Sequence, residues 1–223
     1  MVKPYYQDRA VTIYHGNCRE ILPGLSKVYA VITDPPFGIG FSEYLSYKDS
    51  PVAADYMEHV MAPLWVAESL VIDGWCVVFQ ASKRAAEWAT LFPRPWQLVA
   101  YPKTFVQILK GRGPIKATDY ALVWPVGEPR TERGKGRDWC LSETSDMSAR
   151  PDHPCPRPLS QMLHAVDVFS VPGDLVLDPF MGSGTTLVAA KTLGRRAIGI
   201  EIEERYCEIA AKRCAQEVLD LAP

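Results

Sequence analysis

The stretch DLVLDPFMGSGTTLVAAKTLGRRAIGIEI, residues 174–202, has the pattern of one strand–helix–strand unit. Its two ends, 174–180 and 196–202, are mainly apolar and do not alternate with polar residues, which is typical of strands buried on both faces of a parallel sheet. Between them, residues 185–194 have helical spacing and end at Gly194, a residue type common just after a helix. The stretch therefore predicts a crossover unit whose glycine-containing turn lies at the carboxyl end of its first strand.

The rest of the chain continues this alternation of strands and helices. Apolar runs predict strands at 11–16, 29–37, 75–80, 96–103 and 120–127. Helical spacing predicts helices at 55–71 with a kink at Pro63, at 83–92, at 158–169 with Pro158 as first residue, and at 203–219. Residues 128–157 lack periodicity and predict a long loop. The pattern predicts one α/β domain over 1–223, with a mostly parallel sheet covered by helices on both faces.

Composition limits the function classes. The chain has 223 residues, is 48% hydrophobic and carries a net charge of −2, so any nucleic-acid site must be a local basic patch. Six cysteines occur without a CxxC pair, and His153 and Cys155 have no second pair of metal ligands nearby. The first residues have no apolar targeting segment, and no apolar run approaches a membrane span of about 18 residues. These features predict a cytoplasmic protein with reduced thiols, no metal and no membrane contact.

Two glycines, Gly182 and Gly184, lie between the predicted strand 174–180 and the helix that follows. In open parallel sheets, ligands bind beyond the carboxyl ends of the strands, where glycine permits a positive φ and a close approach of the backbone. The helix offers unpaired N–H groups at the positive end of its dipole. Three neighbouring hydroxyl donors add to this turn: Ser183, Thr185 and Thr186.

A carboxylate completes the pattern of a nucleotide site. Glu201 ends the next predicted strand 19 residues after Gly182, close to the spacing of about 20 expected for a carboxylate that binds ribose hydroxyls. The turn therefore predicts an adenosine-containing cofactor. Leu187 stands where the third glycine of the GxGxxG fingerprint would fall, and the GxxxxGK[ST] loop has no match. An NAD-binding turn and a purely structural helix-capping turn remain alternatives on these residues alone.

A second turn, Asp34-Pro35-Pro36-Phe37, follows another buried strand and so lies at the same kind of edge. Its prolines remove two N–H donors and leave carbonyl acceptors. An aromatic amine is a weak nucleophile, because its lone pair is delocalised. Two acceptors holding its hydrogens free that lone pair and stabilise the charge that grows on nitrogen. We expect the Asp34 carboxylate and the Pro35 carbonyl to bind a base amine, with Phe37 stacking on the base; the alternative is a rigid turn.

Together these motifs resemble the DNA methyltransferases that act on adenine N6 or cytosine N4. The order, DPPF ahead of DPFMGSGTT, is similar to that of the permuted group, and the resemblance covers nearly the whole chain. It implies S-adenosylmethionine as methyl donor and a Rossmann-like methyltransferase fold, with a seven-stranded, mostly parallel sheet and helices on both faces. In that family Asp at the position of Asp34 usually accompanies adenine and Ser cytosine. Adenine N6 is therefore expected, with N4-cytosine and amino methylation of RNA as alternatives.

Other segments match the family residue by residue. HGNCREILP (15–23) resembles the segment ahead of the catalytic strand, and Asn17 stands where an acidic residue contacts the cofactor adenine. HPCPRP (153–158) resembles the HPxxKP segment, with Arg157 replacing lysine and implied to pair with the methionine carboxylate. The implied cofactor site comprises Asn17, Asp34, His153, Arg157, Asp178, Phe180, Gly182, Ser183, Gly184, Thr185, Thr186 and Glu201.

A basic stretch predicts the nucleic-acid surface. Residues 103–137 hold eight basic and three acidic residues in a chain that is slightly acidic overall. The predicted nucleic-acid-binding residues are Lys103, Lys110, Arg112, Lys116, Arg130, Arg133, Lys135 and Arg137. Phosphate contacts supply most of the affinity for nucleic acid. We expect a target-recognition segment at about 103–152 and double-stranded DNA with a flipped base as substrate; a solvated basic loop is the alternative.

Two other classes of protein share part of this pattern. A nicotinamide-dependent oxidoreductase would have the glycine turn and Glu201 but would leave DPPF unexplained. A non-catalytic DNA-binding module would have the basic stretch but would leave both turns unexplained. The resembled group often dimerises, so the resemblance allows a homodimer but leaves the oligomeric state open, and the chain acts either with a cognate restriction enzyme or alone.

Overall fold

The computed structural model describes residues 2–36, 60–80, 97–104, 117–130, 136–142 and 157–216. Eight strands form one sheet. They are β1 (Tyr6–Gln7), β2 (Val11–His15), β3 (Val28–Thr33), β4 (Val71–Gln80), β5 (Gln97–Pro102), β6 (Thr118–Val126), β7 (Leu175–Asp178) and β8 (Arg196–Glu201). The strand order is β1-β2-β8-β7-β3-β4-β6-β5. The five central strands, from β2 to β4, are parallel, while β1, β5 and β6 pair antiparallel with their neighbours.

Helices cover both faces of the sheet. They are α1 (Cys18–Ile21), α2 (Ala62–Ser69), α3 (Leu159–Phe169), α4 (Thr185–Thr192) and α5 (Glu204–Ala215), and a 3-10 turn (Leu22–Gly24) follows α1. Buried side chains of α3, α4 and α5 form one hydrophobic core with the sheet, and those of α1, the 3-10 turn and α2 form the other. Because β3 lies inside the sheet and is covered on both sides, it is buried along its whole length without alternation.

The predicted fold class is confirmed. The sheet has eight strands where seven were expected, because the short strand β1 adds to one edge. β4 begins four residues earlier than predicted: Val28 pairs with Val71 but Ala30 with Trp75, so residues 72–74 (Ile-Asp-Gly) form a bulge. Asp73 in this bulge has a positive φ of 45°. The apolar pattern is interrupted there, which hid the start of the strand.

The two prolines assigned to helices lie at the starts of α-helices. Pro63 lies in the first turn of α2, directly after the π-helical residues 60–61, where the missing N–H is tolerated. Pro158 is the N-cap residue of α3 rather than its first residue. The predicted helix 83–92 and the ends of two others, 55–59 and 217–219, lie outside the described residues.

The strand order places two chain segments together at one edge. From β3 the chain moves to β4 on one side, and from β7 it moves to β8 on the other, so the order reverses between β7 and β3. The register pairs Ala30 with Val176 and Val31 with Leu177. Asp34, directly after β3, and Asp178, the last residue of β7, therefore lie at the same carboxyl edge. This reversal is where open α/β sheets bind their ligands.

The described residues include five of the six cysteines, and all five are free thiols. Four are buried and Cys140 is partly buried. Within the described segments, no group of three or more potential metal ligands comes together. No described helix has both the length and the apolar character needed to cross a membrane.

Candidate active site

Asp178 is a buried carboxylate at the point where the strand order reverses. The residue is only 2% exposed. Its Oδ1 accepts hydrogen bonds from the Thr33 hydroxyl at 2.6 Å and from the Phe180 amide at 3.1 Å. Burial raises the pKa of Asp178 to about 6, the bonds from Thr186, Thr33 and Phe180 oppose the rise, and the nearby Asp34 charge adds to it. The bond from Thr33 joins the strand before DPPF to the strand before the glycine turn.

Asp34 is held by an arginine. The Arg157 guanidinium donates from Nε to Oδ2 at 2.8 Å and from Nη2 to Oδ1 at 2.5 Å, which is a bidentate pair. The same guanidinium lies over the Phe79 ring, 4.9 Å from its centroid. The Asp34 side chain remains 24% exposed, whereas that of Arg157 is 10% exposed. The carboxylate is thus fixed in place yet open on one side.

Arg157 has a second carboxylate partner. Its Nη1 lies 3.2 Å from Asp119 Oδ2 and donates to the Gln161 Oε1 at 3.4 Å. Gln161 in turn donates to Asp119 at 3.1 Å and to the Ser142 hydroxyl at 2.9 Å. Burial favours a raised pKa for Asp119, but Arg157, Gln161 and Lys103 outweigh it and lower that pKa. These contacts tie α3, β6 and the end of β5 to Asp34.

The glycine turn has the backbone geometry that the sequence predicted. Gly182 and Gly184 have positive φ values of 52° and 79°. Glu201 Oε2 accepts the Gly182 N–H at 3.0 Å, and Oε1 accepts the Glu203 N–H at 2.8 Å. Burial raises the pKa of Glu201, and these two amides oppose the rise. Each carboxylate oxygen keeps a lone pair for a further donor.

The hydroxyls of the turn face the protein. Arg213 of α5 donates to the Ser183 carbonyl at 2.7 Å and lies 3.2 Å from both the Ser183 and the Thr185 hydroxyls. The Thr186 hydroxyl lies 3.5 Å from the Met162 sulfur. The sequence prediction assigned these hydroxyls to the cofactor, and in this structure they have partners within the protein as well.

Asn17 lies close to Glu201 along the carboxyl edge. β2 and β8 pair His15 with Glu201, and the Gly16 amide donates to the Glu201 carbonyl at 2.9 Å. The Asn17 side-chain oxygen accepts the Arg19 amide at 3.0 Å and caps α1. Its oxygen therefore has a structural partner in addition to the predicted contact with the cofactor adenine.

The three predicted nucleic-acid residues that the structure describes lie in different places. Lys103, at the carboxyl edge, pairs with Asp119 at 2.9 Å. Arg130 pairs with Asp174 at 2.5 Å, beside the amino end of β7, so it lies at the opposite edge of the sheet. Arg137 lies over the exposed Trp139 ring at 5.3 Å. The other predicted site residues lie outside the described residues: Phe37, Lys110, Arg112, Lys116, Arg133, Lys135 and His153.

Four contributors to the site were not among the predicted site residues: Thr33, Asp119, Gln161 and Arg213. Thr33 directly precedes DPPF and could have been inferred from its place at the strand end. The sequence prediction counted Asp119 only as one of the three acidic residues in the basic stretch 103–137. Nothing in the local sequence of Gln161 or Arg213 marks either residue.

The fold is a doubly wound sheet, and its glycine turn and Glu201 carboxylate lie next to a partly exposed Asp-Pro-Pro turn. This combination is that of an amino-methylating methyltransferase. The family model described as DNA methylase matches residues 75–212, and the chain belongs to this family. The family uses S-adenosylmethionine. The putative methylase YubD of Escherichia coli (strain K12) is 43% identical over 212 residues, covering 90% of this chain and 88% of that protein.

More distant relatives agree with this assignment. The type II methyltransferase M.ScaI of Streptomyces caespitosus is 23% identical over 267 residues, covering 98% of this chain and 86% of that protein. Among solved structures, the M1.HpyAVI–SAM complex has a TM-score of 0.73 at 26% identity, covering 92% of this chain and 100% of that one. The PvuII cytosine-N4-specific DNA methyltransferase has a TM-score of 0.72 at 17% identity, covering 97% of this chain and 90% of that one, which shows a shared fold.

Proposed function

We propose that this chain transfers the methyl group of S-adenosylmethionine to the N6 amino group of adenine in double-stranded DNA. The observation that carries the proposal is the position of Asp34. It lies where the strand order reverses, is joined through Thr33 to Asp178 at the start of the glycine turn, and keeps an open side on its carboxylate. An acceptor for a base amine and a turn for an adenosine cofactor thus share one edge.

The residues of the glycine turn fit the proposed cofactor. The positive φ of Gly182 and Gly184 allows a ligand to approach the backbone closely. Glu201 is already held by two amides and can accept hydrogen bonds from ribose hydroxyls. When bound, S-adenosylmethionine supplies an electrophilic methyl group on a sulfonium. Asn17 is assigned to the adenine end of the cofactor, and Asp178 and Phe180 to the methionine end.

The base side of the site acts through acceptors. Arg157 uses one lone pair of each Asp34 oxygen, so each oxygen retains capacity for a base amine hydrogen. The Pro35 carbonyl accepts the second hydrogen, and Phe37 stacks on the base. The amine nitrogen then forms its bond to the methyl carbon while the carbon–sulfur bond breaks and sulfur keeps the electron pair. The nitrogen afterwards releases a proton to solvent. Positioning and oriented acceptors lower the barrier.

DNA contact is assigned to the segment of about 103–152. Of the described basic residues there, Arg137 is exposed beside Trp139, so this pair suits a phosphate and a stacked base or sugar. Arg130 is not assigned to this surface, because it is paired with Asp174 at the opposite edge. An Arg137→Ala variant tests the assignment: DNA affinity should fall and its dependence on salt should become shallower.

The decisive experiment replaces Asp34. Asp34→Ala should abolish methyl transfer to DNA, measured with a labelled methyl donor, while the dissociation constant for S-adenosylmethionine from calorimetry stays within a few-fold of the wild type. Glu208→Gln, which neutralises an exposed carboxylate of α5 outside the assigned site and the DNA-contact segment, is the matched control and should keep full activity. Near-normal turnover by Asp34→Ala would refute the assigned role of the motif.

The identity of the modified base needs a separate measurement. Mass spectrometry of nucleosides from methylated DNA should yield N6-methyladenine. N4-methylcytosine would keep the catalytic assignment and overturn the choice of base, and modification of RNA alone would overturn the choice of nucleic acid. Calorimetry with NAD excludes the oxidoreductase alternative if no heat of binding is seen.

A further inference from the structure

A chain of charged contacts runs from the sheet to Asp34. Asp119 lies on β6, where the register pairs it with Tyr101 of β5. It bonds to Lys103 at 2.9 Å, to Gln161 at 3.1 Å and to Arg157 at 3.2 Å. Its position is therefore set by a strand, a helix and a lysine at once. Asp34 has no such support from its own backbone, because β3 ends at Thr33.

The planar guanidinium of Arg157 connects Asp119 to Asp34 in the catalytic turn. Arg157 binds Asp34 through the edge formed by Nε and Nη2 and binds Asp119 through Nη1. Because the five N–H groups of arginine form a rigid fork, fixing Nη1 fixes the plane in which the other edge lies. The Phe79 ring packs against one face of the guanidinium, with 4.9 Å between Cζ and the ring centroid, and so restricts its tilting. Without Asp119, the long side chain of Arg157 would have fewer anchors and more rotational freedom.

We propose that Asp119 is a positioning residue, which fixes the orientation of the Asp34 carboxylate through Arg157. The inference rests on the proposed function, since it concerns the residue that accepts the base amine. Within the described part of the chain, Asp119 bonds to Lys103, Gln161 and Arg157, and not to Asp34 or to the residues assigned above to S-adenosylmethionine. Its effect should therefore appear in the chemical step and not in cofactor binding. A displacement of about 1 Å at a reacting group costs on the order of a hundredfold in rate.

The test is Asp119→Asn, which keeps the size of the side chain and removes its charge. We expect kcat for DNA methylation to fall at least tenfold, whereas the dissociation constant for S-adenosylmethionine stays within twofold of the wild type. Cofactor binding also reports that the variant is folded. Glu208→Gln serves again as the control, because it removes an exposed carboxylate of α5 that lies outside both the network and the DNA-contact segment.

A double-variant cycle separates positioning from a general structural effect. Arg157→Met removes the connecting residue, and in that background Asp119→Asn should lower the remaining rate less than twofold. Independent effects, in which the two losses multiply, would overturn the inference, as would an unchanged kcat in Asp119→Asn alone. The proposed function fails separately, if the wild type does not methylate DNA or if Asp34→Ala stays active.

Discussion

Asp178→Asn should make the folded protein more stable at neutral pH. Asp178 is fully enclosed, and its carboxylate shares the site with the charge of Asp34. Thr33 and Phe180 both donate to Oδ1, an atom that asparagine retains as an acceptor. Like the protonated carboxyl group, the asparagine amide is uncharged. The substitution therefore removes the cost of burying a negative charge and keeps the two bonds to Oδ1, whereas the Thr186 hydroxyl has to change from donor to acceptor.

The size of the effect follows from the pKa. The pKa of Asp178 is raised from 3.8 to about 6, and the difference of about two pH units corresponds to about 3 kcal/mol. Since the pKa is higher in the folded state, the folded protein binds more protons than the unfolded chain between about pH 4 and pH 6. The contribution of this residue to stability therefore falls as the pH rises through that interval. Above pH 6 the full cost of about 3 kcal/mol is present, which is the upper limit of the gain.

Urea unfolding of the wild type and the variant from pH 4 to pH 8 measures this directly. The free energies of unfolding should be similar near pH 4, and the variant should gain up to about 3 kcal/mol by pH 8. Asp138→Asn is the control, because its carboxylate is exposed and its removal should change stability by less than about 0.5 kcal/mol at every pH. A variant that is less stable than the wild type at pH 8, or a difference that does not depend on pH, would refute the reasoning.

Two further predictions concern the glycine turn. Glu201→Gln should weaken S-adenosylmethionine binding about tenfold by calorimetry, because it removes the charge that faces ribose hydroxyls while retaining an acceptor for Gly182; unchanged affinity would contradict the assignment. Gly184→Ala should lower the free energy of unfolding by about 1–3 kcal/mol in urea, because Gly184 has a positive φ and an added Cβ would lie 2.7 Å from that of Ala210. Adding Ala210→Gly should relieve only the contact, so complete recovery would contradict the φ argument.

The sequence was sufficient to predict the edge on which the site lies. Continuous apolar runs, separated by helical segments, require a mostly parallel sheet, and parallel strands bring their carboxyl ends together. This rule places Asp34 and the glycine turn on one edge even though they are far apart in the chain. The positive φ of Gly182 and Gly184 was likewise predictable, since glycine is the residue that such a turn requires.

The side-chain network could not be predicted in the same way. The pair of Arg157 and Asp34 joins residues 123 positions apart, and the resemblance assigned Arg157 to the cofactor carboxylate instead. Whether Asp119 faces Arg157 depends on the register of β6 against β4 and β5, and a shift of one residue would turn it to the other face. Hydrophobic patterns set such a register only once the partner strands are known. Local motifs therefore identify Asp34 but not the residues that hold it.

The two halves of the site are supported from different parts of the fold. Asp34 is held from α3 and β6 through Arg157, whereas the glycine turn is held from α5 through Arg213 and from β8 through Glu201. Transfer of a methyl group requires the two halves to keep a fixed separation, because reacting atoms must meet within a few tenths of an ångström. The hydrogen bond between Thr33 and Asp178 spans the gap between them, and the adjacent strands β3 and β7 carry it. A neutral side chain at position 178 would stabilise the fold, but it would weaken the charge-assisted hydrogen bond that joins the two halves. The free-energy cost of burying the Asp178 carboxylate therefore accompanies a stronger connection between the methyl donor and the acceptor.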